Sequence, residues 1–286
     1  MIDTTAPLGL LEALVLGIVQ GLTEFLPISS TAHLRVVPAL LGWDDPGVSV
    51  TAAIQLGSVA AVVAYFRRDL TQVLKGISCA VRHGQWREPD ARLGVAMLIG
   101  TLPILVLGLG IKLFWHAGYA SSPLRSVPSI AIVSIVMALF LALAERMGPR
   151  LKQLGGVTGR DGFVVGLAQS LAVIPGVSRS GSTLTASLFD GWKRADAARF
   201  SFLLGIPAIA IAGLVELKSA LSTSAGAGPL PLLVGIFSAA VVSWLAIDWL
   251  LHFLQRNSTW IFVGYRLVFG RTFGLVGIQK RKLISS

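Results

Sequence analysis

Long apolar segments alternate with short polar segments along most of the chain. A helix that crosses a bilayer needs about 20 consecutive, mostly apolar residues. Segments that come close to this length lie at 48–66, 93–114, 127–144, 200–217, 230–253 and 260–275. The pattern therefore predicts an all-α polytopic membrane protein with spanning helices at these positions.

Two other stretches begin as apolar helices but are interrupted by proline. They cover about 8–41, with Pro27 in the middle, and about 163–189, with Pro175 in the middle. Proline ends a helix because it lacks a backbone N–H group and its ring clashes with the turn before it. Serines shortly after each proline can cap a second short helix. Each stretch is therefore predicted to be a re-entrant helical hairpin.

The second half of the chain repeats the plan of the first, a hairpin followed by three spans. The motif Gly17-Ile-Val-Gln20 matches Gly166-Leu-Ala-Gln169 in its glycine and glutamine. Because each copy has an odd number of spans, the second copy lies upside down, as in other inverted-repeat membrane proteins. We expect one membrane domain of two inverted repeats, over about 8–147 and 160–277, and a basic tail at 278–286. The two hairpin turns should face each other.

Composition agrees with a membrane protein and suggests its orientation. Of 286 residues, 54% are hydrophobic and 13% are charged, whereas soluble domains carry about 25% charged residues. The net charge of +10 comes mainly from residues between the spans, which favours a cytoplasmic location for the connections at 67–92 and 146–160. Anionic lipid headgroups account for such residues, so nucleic-acid binding is not indicated. The single cysteine excludes an intramolecular disulfide and a cysteine metal cluster.

Polar groups in the first half of the first hairpin indicate a functional site. Gln20 and Glu24 lie four residues apart and therefore share one helix face. Their oxygens suit a divalent cation or a polarised water. The alternative is a buried carboxylate that is hydrogen-bonded to a neighbouring helix, but ionisable residues inside a membrane are usually functional. Elsewhere, Asp248 and Arg266 lie within predicted spans and could form a structural pair.

Hydroxyls and an imidazole follow the first proline. Ser30 and His33 are three residues apart on the second short helix and could form a nucleophile and its base. Ser29 and Thr31 lie beside Ser30 at a helix N-terminus, where backbone N–H groups favour a bound phosphate. The alternative is that the serines only cap the helix and that His33 only packs.

The second hairpin carries Pro175-Gly-Val-Ser-Arg-Ser-Gly-Ser-Thr183. Arg179 is flanked there by hydroxyls, and a guanidinium beside hydroxyls at a helix N-terminus suits phosphate. The residues expected to bind phosphate with it are Ser178, Ser180 and Thr183. The motif lacks the Gly-Lys-Ser/Thr of a nucleotide-binding P-loop. Alternatively, Arg179 extends to the membrane interface, which would leave the hydroxyls without a function.

These motifs resemble the bacitracin-resistance family of undecaprenyl-diphosphate phosphatases over nearly the whole chain. The most specific stretches are 20–33, Ile54-Gln-Leu-Gly-Ser58, 175–183 and Phe200-Ser-Phe-Leu-Leu204. The paired acidic motif of the family has Glu or Gln at its first position and Glu at its last. Because this chain has Gln20 at the first position, Glu24 is the only carboxylate of the pair. The family position before Phe-Ser-Phe is often acidic, whereas this chain has Arg199, to which no catalytic role is given.

The resemblance implies an enzyme of the bacterial plasma (inner) membrane that removes the terminal phosphate from undecaprenyl diphosphate, or another polyprenyl diphosphate. The product would be the lipid carrier for cell-wall synthesis, and the activity would give bacitracin resistance. A divalent cation, Mg²⁺ or Ca²⁺, and an active site that faces the outer side are also implied. Membrane lipids are the other expected partners, and a homodimer is left open.

A mechanism follows as a hypothesis. Arg179 binds the phosphates, and Glu24 with Gln20 holds the cation or orients a water. Ser30, His33 or water is left open as the nucleophile, with His33 as base and then acid. The alternative function is a transporter or flippase of a lipid phosphate, because inverted repeats with broken helices suit alternating access.

Overall fold

The computed structural model describes residues 8–115, 118, 122–222 and 228–285, and it describes the helices without side chains at 48–49, 215–222 and 275–285. Within these ranges the chain forms eleven α-helices and no β-strand. The helices are α1 (Leu10–Phe25), α2 (Ser30–Leu41), α3 (Gly47–Tyr65), α4 (Arg67–His83), α5 (Pro89–Phe114), α6 (Val127–Met147), α7 (Gly159–Ser170), α8 (Arg179–Phe189), α9 (Arg194–Ser222), α10 (Pro229–Arg256) and α11 (Trp260–Ser285). Short 3₁₀ turns lie at Pro123–Arg125, Leu154–Gly156 and Leu171–Val173.

Four of the described helices are long and apolar enough to cross a membrane, namely α5, α6, α9 over Arg194–Leu214, and α10. Helix α3 reaches this standard together with α4, from which it is bent by 68°. The prediction of an all-α polytopic membrane protein is confirmed. Helix α11, predicted to end near residue 275, continues through Ser285, so the stretch predicted as a separate basic tail extends this helix.

Side-chain exposure has the distribution that a lipid environment requires. Large apolar residues cover the outer faces of the long helices, where Val106, Phe237 and Val268 are 72%, 71% and 67% exposed. Polar groups lie in the interior instead, and Ser58 and Ser243 are fully buried. Apolar side chains on this surface lose nothing by contacting lipid, whereas the buried polar groups need partners inside the protein.

Both predicted hairpins are present. Helix α1 ends at Phe25, two residues before Pro27, and α2 begins at Ser30. Helix α7 begins at Gly159, four residues before the predicted start at 163, because Thr158 and Asp161 form a capping box there. Its partner α8 runs over Arg179–Phe189 and ends at the predicted residue.

Helix α4 corrects the prediction of an irregular basic connection after residue 66. It is strongly amphipathic: Val73 and Ala80 are buried, whereas Arg68, Lys75 and Arg82 are exposed and lie seven residues apart along one line. The apolar residues recur at helical spacing, and the basic residues between them make the stretch resemble a polar connection. Its bend away from α3 suits a helix that lies along the membrane surface.

The two halves pack on each other reciprocally. Helix α1 of the first half lies against α10 of the second, where a Cβ on Gly17 would collide with the backbone of Gly235. Helix α7 of the second half lies against α5 of the first, where a Cβ on Gly166 would collide with the backbone of Gly100. Small residues allow such close approach of membrane helices. The first helix of each hairpin therefore depends on the opposite half for its position.

Gly166→Ala tests this close packing. We expect it to lower the free energy of unfolding by about 1–3 kcal/mol, because the added methyl group overpacks the contact with Gly100. Thermal unfolding of the purified protein in mild detergent, followed by circular dichroism, measures the change. Gly108→Ala is the matched control, since nothing lies within 4 Å of its added Cβ. Equal unfolding midpoints for the two variants would contradict the packing argument.

Candidate active site

The turns of the two hairpins meet inside the protein, as predicted. The hydroxyl of Ser180, at the start of α8, shares its one proton between the carbonyl oxygens of Leu26 at 3.0 Å and Glu24 at 3.3 Å. Both acceptors lie at the C-terminal end of α1. One hydroxyl from the second hairpin therefore satisfies carbonyl groups that the broken first hairpin leaves without helical partners.

The two turns share an unusual backbone conformation. Ser29 and Ser178 occupy the N-cap positions of α2 and α8, with φ angles of 77° and 69°. In each turn this serine shares a hydrogen bond of 3.2 Å with the hydroxyl two residues later, which belongs to Thr31 or Ser180. A positive φ is costly for a residue with a side chain and tends to persist at functional sites. The turns place two helix N-termini in neighbouring positions, and the N–H groups of a helix N-terminus favour an anion.

Glu24 is the centre of the side-chain network. Its Oε2 accepts hydrogen bonds from the Ser30 hydroxyl at 2.7 Å and from Gln20 Nε2 at 3.0 Å. Its Oε1 accepts from Arg179 Nη2 at 3.2 Å. Glu24 is 8% exposed and the Arg179 side chain is 9% exposed, so the ion pair lies in a weakly screened environment. The structure thus brings together three of the predicted catalytic residues. Glu24 lies near the end of α1, Ser30 begins α2, and Arg179 begins α8.

A chain of buried polar groups supports Glu24 from behind. Ser243 on α10 donates to the hydroxyl of Ser58 on α3 at 2.8 Å, and Gln20 donates to the same hydroxyl at 3.4 Å. The NH₂ group of Gln20 faces Glu24 and donates to it. The amide oxygen of Gln20 therefore does not face the carboxylate. Ser243 was missed in the sequence because a lone serine in an apolar helix gives no signal.

His33 does not contact Ser30, which corrects the predicted nucleophile–base pair. Its Nδ1 lies 2.7 Å from the carbonyl oxygen of Ser29, and its Nε2 lies 2.6 Å from the hydroxyl of Tyr265. Ser30 donates to Glu24 instead. The reason is geometric: on α2 the imidazole turns back to the preceding turn and packs against α11, whereas Ser30 faces α1. His33 is nevertheless tied to the same turn.

The hydroxyls of Ser180 and Thr183 support the site rather than face it. Ser180 donates to the first hairpin, as described, and Thr183 donates to the carbonyl oxygen of Arg179 at 2.8 Å and shares a short hydrogen bond with Ser201. A hydroxyl has one proton to donate, and here that proton is used within the protein. The hydroxyl oxygen of Ser178 is also used within the protein, because it accepts a hydrogen bond from the backbone N–H of Gly181 at 3.1 Å. These residues fix the position of Arg179.

Arg266 joins both turns and does not pair with Asp248, which corrects another prediction. Its guanidinium is 1% exposed and donates to carbonyl oxygens on both hairpins and on α6. The acceptors are those of Pro27 at 3.0 Å, Gly176 at 2.7 Å, Val177 at 3.1 Å and Ser134 at 3.2 Å. Asp248 accepts a hydrogen bond from Tyr65 at 2.9 Å instead.

A cavity of about 300 Å³ adjoins the turns. Thr31 and Pro175 form part of its wall, and Arg35 and Arg125 also line it. Asp45 lines it as well, whereas Glu24, Ser30 and Arg179 do not. A cavity of this size beside both turns can hold part of a ligand.

The chemistry of the donors limits how a metal could bind here. Among the described residues, no group of three His, Cys, Asp or Glu side chains is placed to hold a cation. Glu24 is the only carboxylate that the turns provide. Mg²⁺ is commonly held by one or two carboxylates together with substrate phosphates and water. The residues therefore fit a cation shared with a phosphorylated substrate, and they do not fit a site made by protein alone.

Fold and site together define a class: a multi-pass α-helical membrane protein whose facing hairpins hold a carboxylate, a hydroxyl and a guanidinium suited to phosphate chemistry. A family model described as bacitracin resistance protein BacA matches residues 13–272. The chain belongs to this family.

Three relatives match almost the whole chain, and each is named undecaprenyl-diphosphatase. The protein from Synechococcus sp. (strain CC9902) is 95% identical over 270 residues, which cover 94% of this chain and 95% of the relative. The protein from Parasynechococcus marenigrum (strain WH8102) is 78% identical over 274 residues, or 94% and 96% of the two chains. The protein from Prochlorococcus marinus (strain MIT 9303) is 76% identical over 257 residues, or 90% and 87%.

Arg199, the departure from the family pattern, has a structural role. It forms an ion pair with Asp69 on α4 and so ties α9 to the surface helix. The pair lies at a second cavity, of about 380 Å³, that is also lined by Tyr65 and His252. This contact of Arg199 is thus with α4 and not with the turns of the hairpins.

Arg266→Gln tests whether one guanidinium holds the turns together. We expect the free energy of unfolding to fall by more than about 3 kcal/mol, because several buried carbonyl groups lose a charged donor. Arg271→Gln, at an exposed position of the same helix, is the control and should change it by less than about 0.5 kcal/mol. Denaturation in detergent measures both. An Arg266→Gln variant as stable as the control would show that the turns hold without it.

Proposed function

We propose that this protein hydrolyses undecaprenyl diphosphate to undecaprenyl phosphate and inorganic phosphate. The observation that carries the proposal is the contact of Glu24 with both Ser30 and Arg179, which places a hydroxyl, its proton acceptor and a phosphate-binding cation at one point. The relatives named undecaprenyl-diphosphatase support the substrate. The activity regenerates a lipid carrier for cell-wall synthesis, and membership of the family agrees with a role in bacitracin resistance.

The substrate is expected to bind with its diphosphate between the two turns, next to the cavity that Thr31 and Pro175 line. Its polyprenyl chain would lie in lipid between the long helices. When the substrate binds, the guanidinium of Arg179 gives up part of its hydrogen bonding to Glu24 and donates to the terminal phosphate instead. The N–H groups at the starts of α2 and α8, together with the hydroxyls of Ser29 and Thr31, supply further donors. These groups offset charge that develops on the phosphoryl oxygens in the transition state.

In the first chemical step Ser30 Oγ attacks the terminal phosphorus. The bond from Oγ to phosphorus forms as the bond from phosphorus to the bridging oxygen breaks. Glu24 takes the hydroxyl proton, since its Oε2 already accepts that hydrogen bond, and passes it to the departing lipid monophosphate. The hydroxyl needs such a base because a serine is a weak nucleophile in its neutral form.

In the second step water attacks the phosphoserine. Glu24 takes a proton from the water and returns it to Ser30 Oγ as the phosphorus–oxygen bond to serine breaks. Inorganic phosphate leaves, and both residues are restored. His33 supports this cycle through the backbone of Ser29 rather than by direct proton exchange with Ser30.

A divalent cation, Mg²⁺ or Ca²⁺, is proposed as a cofactor, held by Glu24 and the oxygens of the substrate. When bound, it would neutralise part of the diphosphate charge. Gln20 would orient Glu24 by its hydrogen bond.

We place the protein in the bacterial plasma membrane with the active site open to the outer side. This rests on the positive-inside rule, since α4 and the connection after α6 carry exposed basic residues. A homodimer stays a prediction. A lipid-phosphate flippase, the alternative suggested by the repeats, is not favoured by relatives that are named for a phosphatase.

Three substitutions test the assignment of roles. With purified protein, undecaprenyl diphosphate and a phosphate-release assay, we expect Ser30→Ala to lower kcat at least about a thousandfold. Glu24→Gln should lower it at least about a hundredfold through loss of the base, and Arg179→Lys about 10- to 100-fold through loss of the fixed fork of donors.

The control for these variants is Ser170→Ala, which removes a hydroxyl that bonds only to the carbonyl oxygen of Leu167 and should leave kcat unchanged. Mass spectrometry of acid-quenched reactions should detect phosphate on Ser30. Substantial turnover by Ser30→Ala would show that water attacks phosphorus directly. If the wild-type protein released no phosphate but moved the lipid phosphate across the membrane of vesicles, the flippase would become the better assignment of function.

Removal of divalent cations is a separate test. We expect EDTA to reduce phosphate release to background and added Mg²⁺ or Ca²⁺ to restore it. Because the cation is shared with the substrate, direct binding of Mg²⁺ to the free protein should be weak and should strengthen when a non-hydrolysable diphosphate is present. Isothermal titration measures both. Tight binding to the free protein would indicate a site made by protein groups, contrary to the donor set described above.

A further inference from the structure

His33 is held in one tautomer by its two neighbours. Its Nδ1 lies 2.7 Å from the carbonyl oxygen of Ser29. A carbonyl oxygen can only accept a hydrogen bond, so Nδ1 carries the proton. In the neutral ring Nε2 is then the acceptor, and it receives the hydroxyl proton of Tyr265 at 2.6 Å. Neither ring nitrogen is left for Ser30.

The ring of His33 is also fixed from the side. It stacks on Phe269 with ring centroids 4.5 Å apart, and on Tyr265 with centroids 5.6 Å apart and an interplanar angle of 16°. His33 is 6% exposed, whereas Tyr265 is 44% exposed and covers it. The imidazole therefore has its orientation set by α11, which lies at the opposite end of the chain.

His33 in turn holds the strained part of the first hairpin, which is the backbone of Ser29. The carbonyl group of Ser29 accepts both from the imidazole and from the backbone N–H of His33. Ser29 has a φ of 77°, and its carbonyl carbon is bonded to the backbone nitrogen of Ser30. A rotation of this peptide group would therefore move Ser30, whose hydroxyl lies 2.7 Å from Glu24 Oε2.

We propose that Tyr265 is a positioning residue for the phosphatase reaction, which acts through His33 and the Ser29 carbonyl on the placement of Ser30. The inference rests on the proposed function. It assigns to α11 a double role at the turns: Arg266 holds the carbonyl of Pro27, and the residue before it holds the carbonyl of Ser29 through the imidazole.

The role predicts a kinetic pattern that loss of stability alone would not produce. Tyr265→Phe keeps the stacked ring and removes only the hydroxyl. We expect kcat to fall about tenfold, KM to change less than twofold, and the unfolding midpoint to stay close to that of the wild type, since the attack is disturbed and phosphate binding is not.

A double-mutant cycle shows whether the effect passes through His33. His33→Asn removes Nε2 but retains an amide N–H that can bond to the Ser29 carbonyl. In that background Tyr265→Phe should change kcat less than twofold. Tyr65→Phe is the matched control, because it also removes one tyrosine hydrogen bond, to Asp248, and it should leave kcat unchanged.

The proposal is overturned if Tyr265→Phe has the kcat of the wild type, or if its tenfold loss persists in the His33→Asn background. If the wild-type protein releases no phosphate, the proposed function fails and the link is judged without turnover. Diethyl pyrocarbonate modifies an unprotonated, unbonded imidazole nitrogen. Site-resolved mass spectrometry should then show His33 modified several-fold faster in Tyr265→Phe than in the wild type, and equal rates would overturn the link.

Discussion

The architecture of the site depends on how a membrane protein satisfies the backbone of two broken helices. Each hairpin turn exposes carbonyl groups that have no helical partner, and lipid cannot supply donors to them. The guanidinium of Arg266 bonds to carbonyl groups of both turns, and the hydroxyl of Ser180 bonds to the end of α1. These bonds fix the distance between the turns, so that Arg179 from one hairpin reaches Glu24 of the other.

Packing between the halves gives this arrangement its rigidity. Helix α1 rests on α10 and α7 rests on α5, both through glycines that allow the backbones to approach closely. Each hairpin is thus held by the opposite half of the chain, and a shift of either long helix would move one side of the site relative to the other. A site built from short, broken helices has no strong helical propensity of its own, so its precision comes from these contacts.

The sequence was sufficient for local features and insufficient for long-range ones. Proline positions predicted both hairpins, and the identities of Glu24, Ser30 and Arg179 predicted the groups that meet. The partners of Arg266 could not be predicted, because backbone carbonyl groups occur at every residue and leave no mark in the sequence. The Ser30–His33 pair was wrong because spacing along a helix does not show which neighbouring helix each side chain faces. The partner of His33, Tyr265, lies 232 residues away.

The two turns share one backbone form but not one chemistry. Ser29 and Ser178 have the same left-handed conformation and the same hydroxyl pair two residues apart. The residue that follows each of them is the first of its helix, and it is Ser30 in one half and Arg179 in the other. Two similar turns thus supply two helix N-termini that suit an anion, and a difference at one equivalent position separates the proposed attacking group, Ser30, from the proposed phosphate clamp, Arg179. Both side chains meet on Glu24, so the proposed reaction needs residues from both halves.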